Sequence, residues 1–177
     1  MKWRDSVPIA LMAAALCALS PWALPVGAVP ISLATLGVYF CVGLLGLRGG
    51  TLAVGVYLLL GAVGVPVFAG FIGGLPHLLG PTGGYLLGYL PCAVAAGVLM
   101  RVVPDGKWFP LWLGVGTLVL YALGTAWYMW QTAVPLWAAL ATCVLPFVAA
   151  DVVKIAVATA VILPLRGRID RVLRPRV

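Results

Sequence analysis

Glutamate is absent from this 177-residue chain, and charged residues of all kinds make up 8% of it against 64% hydrophobic. No soluble globular domain of this size keeps that balance, so the chain belongs in lipid. Zinc-knuckle chemistry lacks its spacing: Cys17, Cys41, Cys92 and Cys143 fall one each in four apolar stretches and read as small buried hydrophobes. Missing too are a lysine behind the glycine-rich stretch, which a phosphate-cradling loop needs, and any Ser/His/Asp or Cys/His set at membrane depth. Neither ATP hydrolysis nor covalent catalysis has a visible site. The net charge of +7 invites a nucleic-acid reading. Position argues against it, because Arg166, Arg168, Arg171, Arg174 and Arg176 directly follow an apolar stretch, where a cytoplasmic anchor of a membrane helix is expected.

What is present is a succession of apolar runs punctuated by Pro, Gly and charge. A helix needs about 20 residues to cross the hydrocarbon, and cutting at the punctuation gives six spans: residues 7–24, 31–47, 51–68, 85–103, 109–130 and 147–165. Residues 134–145 are apolar as well, but joined to the sixth span they overrun the membrane. Pro146 is therefore expected to set off a short outer helix or re-entrant loop. Lys2 and Arg4 ahead of the first run resemble a signal peptide, yet the polytopic pattern behind them marks a permanent first helix. The basic residues divide completely. Lys2, Arg4, Arg48, Arg101, Lys107 and the five C-terminal arginines fall on one side, and the connections 25–30, 69–84 and 131–146 hold no Lys or Arg. The expected architecture is an all-α membrane protein, a single domain over 1–177 with six transmembrane helices, in the bacterial inner membrane with both termini cytoplasmic.

One acid and one base break the sixth span, Asp151 and Lys154 in PFVAADVVKIAVATAVILPL. Their spacing of three puts them on one helix face, in the outer half of the membrane. Ionised groups at that depth cost several kcal/mol unless they pair or face water. Two uses fit: a structural ion pair, or a polar floor for a small ligand entering from outside. A proton relay would want further titratable groups in the other spans, which are lacking; His77 sits in an external loop and reads as a loop hydrogen-bonder. The connection VPVFAGFIGGLPHLLGPTGGYLLGY, residues 65–89, is too glycine-rich for a span and too apolar for a linker. It suits a lid that folds over a pocket and offers backbone donors, or a loop packed on the bundle for stability.

The segments VPISLATLGVYF (29–40), VFAGFIGGLPHLLGPTGGYLLGY (67–89) and PFVAADVVKIAVA (146–158) together resemble the BioY family of biotin-capture subunits, the substrate-specific S components of energy-coupling-factor (ECF) transporters. The resemblance implies a six-helix bundle holding one biotin near the external surface, no cofactor, and partners consisting of a coupling transmembrane protein (the T component) and two ABC ATPases. It implies that Asp151 and Lys154 hydrogen-bond polar ends of biotin. Gly80, Thr82, Gly83 and Gly84 of the GPTGGY loop would close over the ligand, with Tyr85 at its base. Ala34 stands where the family often has Gln, so a polar contact is missing there. Ala10, Ala14 and Ala18 make a small-residue face on the first helix, which the resemblance reads as the docking face for the T component and simple helix packing would also explain. Of the aromatics Trp112, Tyr121, Trp127, Tyr128, Trp130 and Trp137, several are expected in the interfacial belt, while Trp127 and Tyr128 suit the wall of an apolar pocket. The alternatives are an S component for another vitamin, an intramembrane enzyme using Asp151 with Lys154, or a passive assembly factor without a ligand.

Overall fold

A computed structural model describes residues 3–24 and 29–173, with side chains for 6–24 and 29–166. Lys2, Arg174, Arg176, most of the connection 25–30 and the side chains of Arg4, Arg168 and Arg171 lie outside the described residues. In chain order the elements are α1 (Trp3–Leu19), β1 (Ala23–Leu24), β2 (Ile31–Ser32), α2 (Ala34–Ala62), α3 (Leu75–Leu79) and α4 (Gly83–Val102). A 3₁₀ turn (Gly106–Trp108), α5 (Phe109–Thr132), α6 (Leu136–Cys143) and α7 (Leu145–Leu173) follow. The apolar runs become helices because backbone in lipid has to satisfy its own hydrogen bonds, and a helix does so within one segment. Four helical stretches, Ala34–Ala62, Gly83–Val102, Gly106–Thr132 and Leu145–Arg166, are long and apolar enough to cross a membrane; the apolar part of α1, Ser6–Leu19, is shorter. The chain is a membrane protein.

The second and third expected spans form one helical run broken at Gly46, whose φ of 70° is a left-handed value that favours glycine. A Cβ added to Gly50 would meet the backbone of Val42, which a straight helix would hold about 12 Å away. The chain therefore turns back at Gly46, giving arms 34–45 and 47–62. Other boundaries shift as well. α1 ends at Leu19 because Trp22 accepts a backbone bond from Leu33 and residues 23–24 pair with 31–32 in a short antiparallel ribbon. The second arm of α2 stops at Ala62, not at residue 68, because Gly64 (φ 103°) takes the chain out of the helix. The short helix expected ahead of Pro146 is present as α6, but the break falls at Val144 and Pro146 sits in the first turn of α7, where its missing N–H leaves no bond unmade.

Small residues let the helices approach where they pack. Gly37 faces Leu16 of α1, Gly43 faces Phe109 of α5 and Ile162 of α7, and Gly116 of α5 faces Cys92 and Ala96 of α4. Leu16, Tyr39, Tyr57, Phe109 and Ile162 are fully buried. Cys41, Cys92 and Cys143 are buried free thiols and Cys17 is half-buried, in keeping with their reading as packing residues.

The bundle has two unlike ends. At one, the ribbon and the 63–82 loop interlock: Gly70 N–H donates to Pro21 O at 2.9 Å, and the Trp22 and Phe71 rings meet edge to face at 5.7 Å. At the other, Arg48, Arg101 and Arg166 line one cleft.

Candidate functional site

Helix α5 carries a polar stripe at helical spacing, Thr117, Tyr121 and Thr125, each four residues from the next and so on one face. Each member reaches a different helix. Thr117 pairs with Tyr39 of α2 at 2.5 Å, Tyr121 OH donates to Asp151 Oδ2 of α7 at 2.6 Å, and Thr125 pairs with Tyr85 of α4 at 2.9 Å. A hydroxyl in an apolar helix has to find a partner, because hydrocarbon offers none.

Asp151 and Lys154 both face inward, at 3% and 8% exposure, and pair at 2.9 Å between Nζ and Oδ1. Lys154 Nζ also donates to Thr35 Oγ1 at 2.8 Å, and Thr35 Oγ1 donates in turn to Asp151 Oδ1 at 3.1 Å. With Tyr121 on the second oxygen, both carboxylate oxygens are satisfied. The ammonium has used two of its three N–H donors. The arrangement answers most of the desolvation problem, since a buried charge is tolerated when paired and hydrogen-bonded. It also leaves a donor that points to no described protein group.

The GPTGGY segment runs from the end of α3 into the first turn of α4, and this junction is fastened to α5. Trp127 Nε1–H donates to Gly80 O at 3.0 Å, and Gln131 Nε2 donates to Leu79 O at 2.7 Å. A Cβ on Gly84 would enter the Trp127 side chain, and one on Gly83 would enter the Leu78 carbonyl. Both glycines are thus required by close approach. His77, stacked on Phe68 at 5.8 Å, is partly buried, and that burial lowers its pKa from 6.5. Under this cap lies a cavity of about 40 Å³ lined in part by Ser32, His77, Thr82, Tyr85 and Tyr89.

The expected site residues therefore fall in two clusters. Gly80, Thr82, Gly83, Gly84, Tyr85 and Trp127 come together at the cap, with Thr82 and Tyr85 lining the cavity. Asp151 and Lys154 form the second cluster and do not line that cavity. The stripe on α5 joins them, because Tyr85 bonds Thr125 one turn from Tyr121, which bonds Asp151. Thr35, Tyr121 and Thr125 are members that the sequence reading missed; the four-residue spacing of hydroxyls on an apolar helix was the available signal. Ala34 is buried beside Thr35. Ala10, Ala14 and Ala18 are exposed on α1, while Ala13 and Leu16 turn inward, so the alanine face is not used within the bundle. Trp130 and Trp137 are about three-quarters exposed, as belt residues are, but Trp112 is buried in the core and Tyr121 belongs to the polar network.

A hydroxyl-laced helical bundle with a buried charge pair and a capped cavity, and with relatives that are named transporters, defines a membrane transport subunit. A solved S component for biotin from an ECF-type ABC transporter superposes with a TM-score of 0.86 at 29% identity, covering 94% of this chain and 92% of that one. The BioY family model matches residues 1–171, and the chain belongs to the BioY family. The biotin transporter BioY of Thermotoga maritima is 39% identical over 157 residues, 86% of this chain and 90% of its own length. That of Rhodobacter capsulatus is 38% identical over 175 residues, 87% of this chain and 88% of its own.

Proposed function

We propose that this chain captures biotin from outside the cell as the S component of an ECF-type transporter. What carries biotin in particular is the joint likeness, over nearly the whole length, to relatives named for biotin transport and to a solved biotin S component. The charge pair supplies a chemical rationale. Biotin presents a carboxylate and a ureido group, and Lys154 retains one N–H donor while Asp151, Thr35 and Tyr121 are arranged to accept or donate on rearrangement. Gly80, Thr82, Gly83, Gly84, Tyr85 and Trp127 form the cap side of the site. A cavity of about 40 Å³ is far below the roughly 300 Å³ of a small-ligand pocket. Loading requires the 63–82 segment to lift, and closure returns it over the ligand.

Both arms of α2 count as crossings in this reading, which makes six with α1, α4, α5 and α7. Arg48, Arg101, Lys107 and the basic termini then lie in the cytoplasm of the bacterial inner membrane, and the cap lies outside. The exposed Ala10, Ala14 and Ala18 dock on a T component, and two ABC ATPases drive the reorientation that releases biotin inward, with no cofactor in this subunit. The test is equilibrium binding of labelled biotin to the purified chain, competed with unlabelled biotin, thiamine, riboflavin and pantothenate. Competition by biotin alone is the expected result. Displacement by another vitamin, or no binding by folded protein, overturns the assignment.

A further inference from the structure

The arginine end carries chemistry that biotin capture leaves unused. Arg48 opens the second arm of α2, Arg101 stands in the last turn of α4 and Arg166 lies on α7, and together they line a cleft of about 390 Å³ with Leu47, Gly97 and Met100. Among the described side chains no carboxylate lines it. Asp151 is paired with Lys154 away from the cleft, and Asp105 accepts the backbone N–H of Lys107. Arg166 has its own company, with the Phe109 ring 5.6 Å from its guanidinium, so the free anion-binding capacity rests on Arg48 and Arg101. Arg48 and Arg101, converging on one concave surface, repel unless an anion joins them, and a guanidinium fork matches phosphate oxygens in pairs.

The surroundings say which phosphate. From Arg48, exposed Leu52 and Val56 run one and two turns up α2; from Arg101, exposed Val98 and Val94 run back along α4 in the same way. Each arginine thus crowns an apolar track on the lipid-facing surface. We propose that this cleft binds the phosphate of an anionic phospholipid, with the headgroup between Arg48 and Arg101 and the acyl chains along the two tracks. Basic pockets between membrane helices bind such headgroups, and each Arg near the surface strengthens the attraction several-fold. A lipid whose phosphate is offset by choline gains less, and free phosphate has nothing to place on the tracks.

Native mass spectrometry of the purified full-length chain in neutral detergent tests this, with phosphatidylglycerol and phosphatidylcholine added in equal amounts and inorganic phosphate as competitor. Phosphatidylglycerol adducts should exceed phosphatidylcholine adducts, fall by about tenfold or more in Arg48→Gln/Arg101→Gln, and stay within about twofold in Lys107→Gln, which removes a positive charge outside the cleft. Excess phosphate should leave them in place. Equal adducts of the two lipids, adducts that survive the double variant, an equal loss in Lys107→Gln, or displacement by phosphate each overturn the proposal. The single variant Arg101→Gln repeats the test should the double variant lose its folded, monodisperse form. Retained labelled-biotin binding shows that the cap end is intact.

Discussion

The two ends of this bundle solve the cost of polarity in opposite ways. At the cap end the polar groups are neutral or paired and nearly all are consumed internally: Trp127 and Gln131 are spent on carbonyls of the loop, the α5 hydroxyls on Tyr39, Tyr85 and Asp151, and Lys154 on Asp151 and Thr35. At the arginine end Arg48 and Arg101 share one cleft, with no carboxylate among the described side chains that line it. A closed network suits a site that must hold a small solute away from water and open only when the loop moves. An open cluster of like charge suits a surface that meets anionic headgroups. The difference also explains why the charge pair sits deep and the arginines sit shallow, since a charge that is paired and hydrogen-bonded tolerates hydrocarbon better than an unpaired one.

The largest effect should come from Lys154→Ala, which strips the partner from a carboxylate at 3% exposure. Biotin binding is expected to fall by more than about 100-fold and the protein to lose roughly 3–5 kcal/mol, read by ligand binding and by thermal unfolding in detergent. Asp151→Asn with Lys154→Met separates the two losses: stability should largely return while binding does not. Recovery of binding in that double variant would make the pair structural only. Next is Gly84→Val, whose side chain enters Trp127. Overpacking of this kind costs about 1–3 kcal/mol, so biotin affinity should drop by about tenfold, while phospholipid adducts at the far end stay unchanged.

Tyr121→Phe removes the donor to Asp151 Oδ2, a bond to a charged group worth about 1.5–3 kcal/mol. Stability and biotin affinity should both fall, and an unchanged variant would show that the α5 stripe does not support the site. Smaller again is Trp127→Phe, which keeps an aromatic ring but loses the indole N–H and its bond to Gly80 O; about 1 kcal/mol corresponds to a several-fold faster release of bound biotin. The smallest effect is of pH. His77 has its folded pKa lowered from 6.5 by burial, so the opened loop binds more protons than the seated one. The contribution to loop seating is full above pH 6.5 and is lost as pH falls toward the folded pKa. Protection of the amides at residues 75–79, measured relative to their intrinsic exchange rate at each pH, should therefore fall as the medium is acidified, and His77→Phe should abolish that fall.

Much of this was legible in the sequence because lipid makes strict demands. The deep Asp151 and Lys154 stood out as the two charges inside a span, and the loop glycines stood out because a span has no use for six of them. The reversal near Gly46 was legible in outline, since Arg48 announced a surface turn between two spans, but the single left-handed residue that makes it was not. Pro146 misled because a proline breaks a helix interior yet opens a first turn, and sequence alone does not say which end it occupies. Thr35, Tyr121 and Thr125 escaped notice since hydroxyls and tyrosines are common in membrane helices and acquire meaning only with their cross-helix partners. The separation of the cavity from the charge pair is a matter of packing between α4, α5 and α7, which no local pattern encodes.

The central claim is that the cap end, through Lys154, takes biotin, and equilibrium dialysis of labelled biotin tests it most directly with wild type, Lys154→Ala and Arg48→Gln/Arg101→Gln side by side. Tight binding in wild type and the arginine variant, with loss in Lys154→Ala, is the predicted result. Equal binding by folded Lys154→Ala, or loss confined to the arginine variant, would contradict the account.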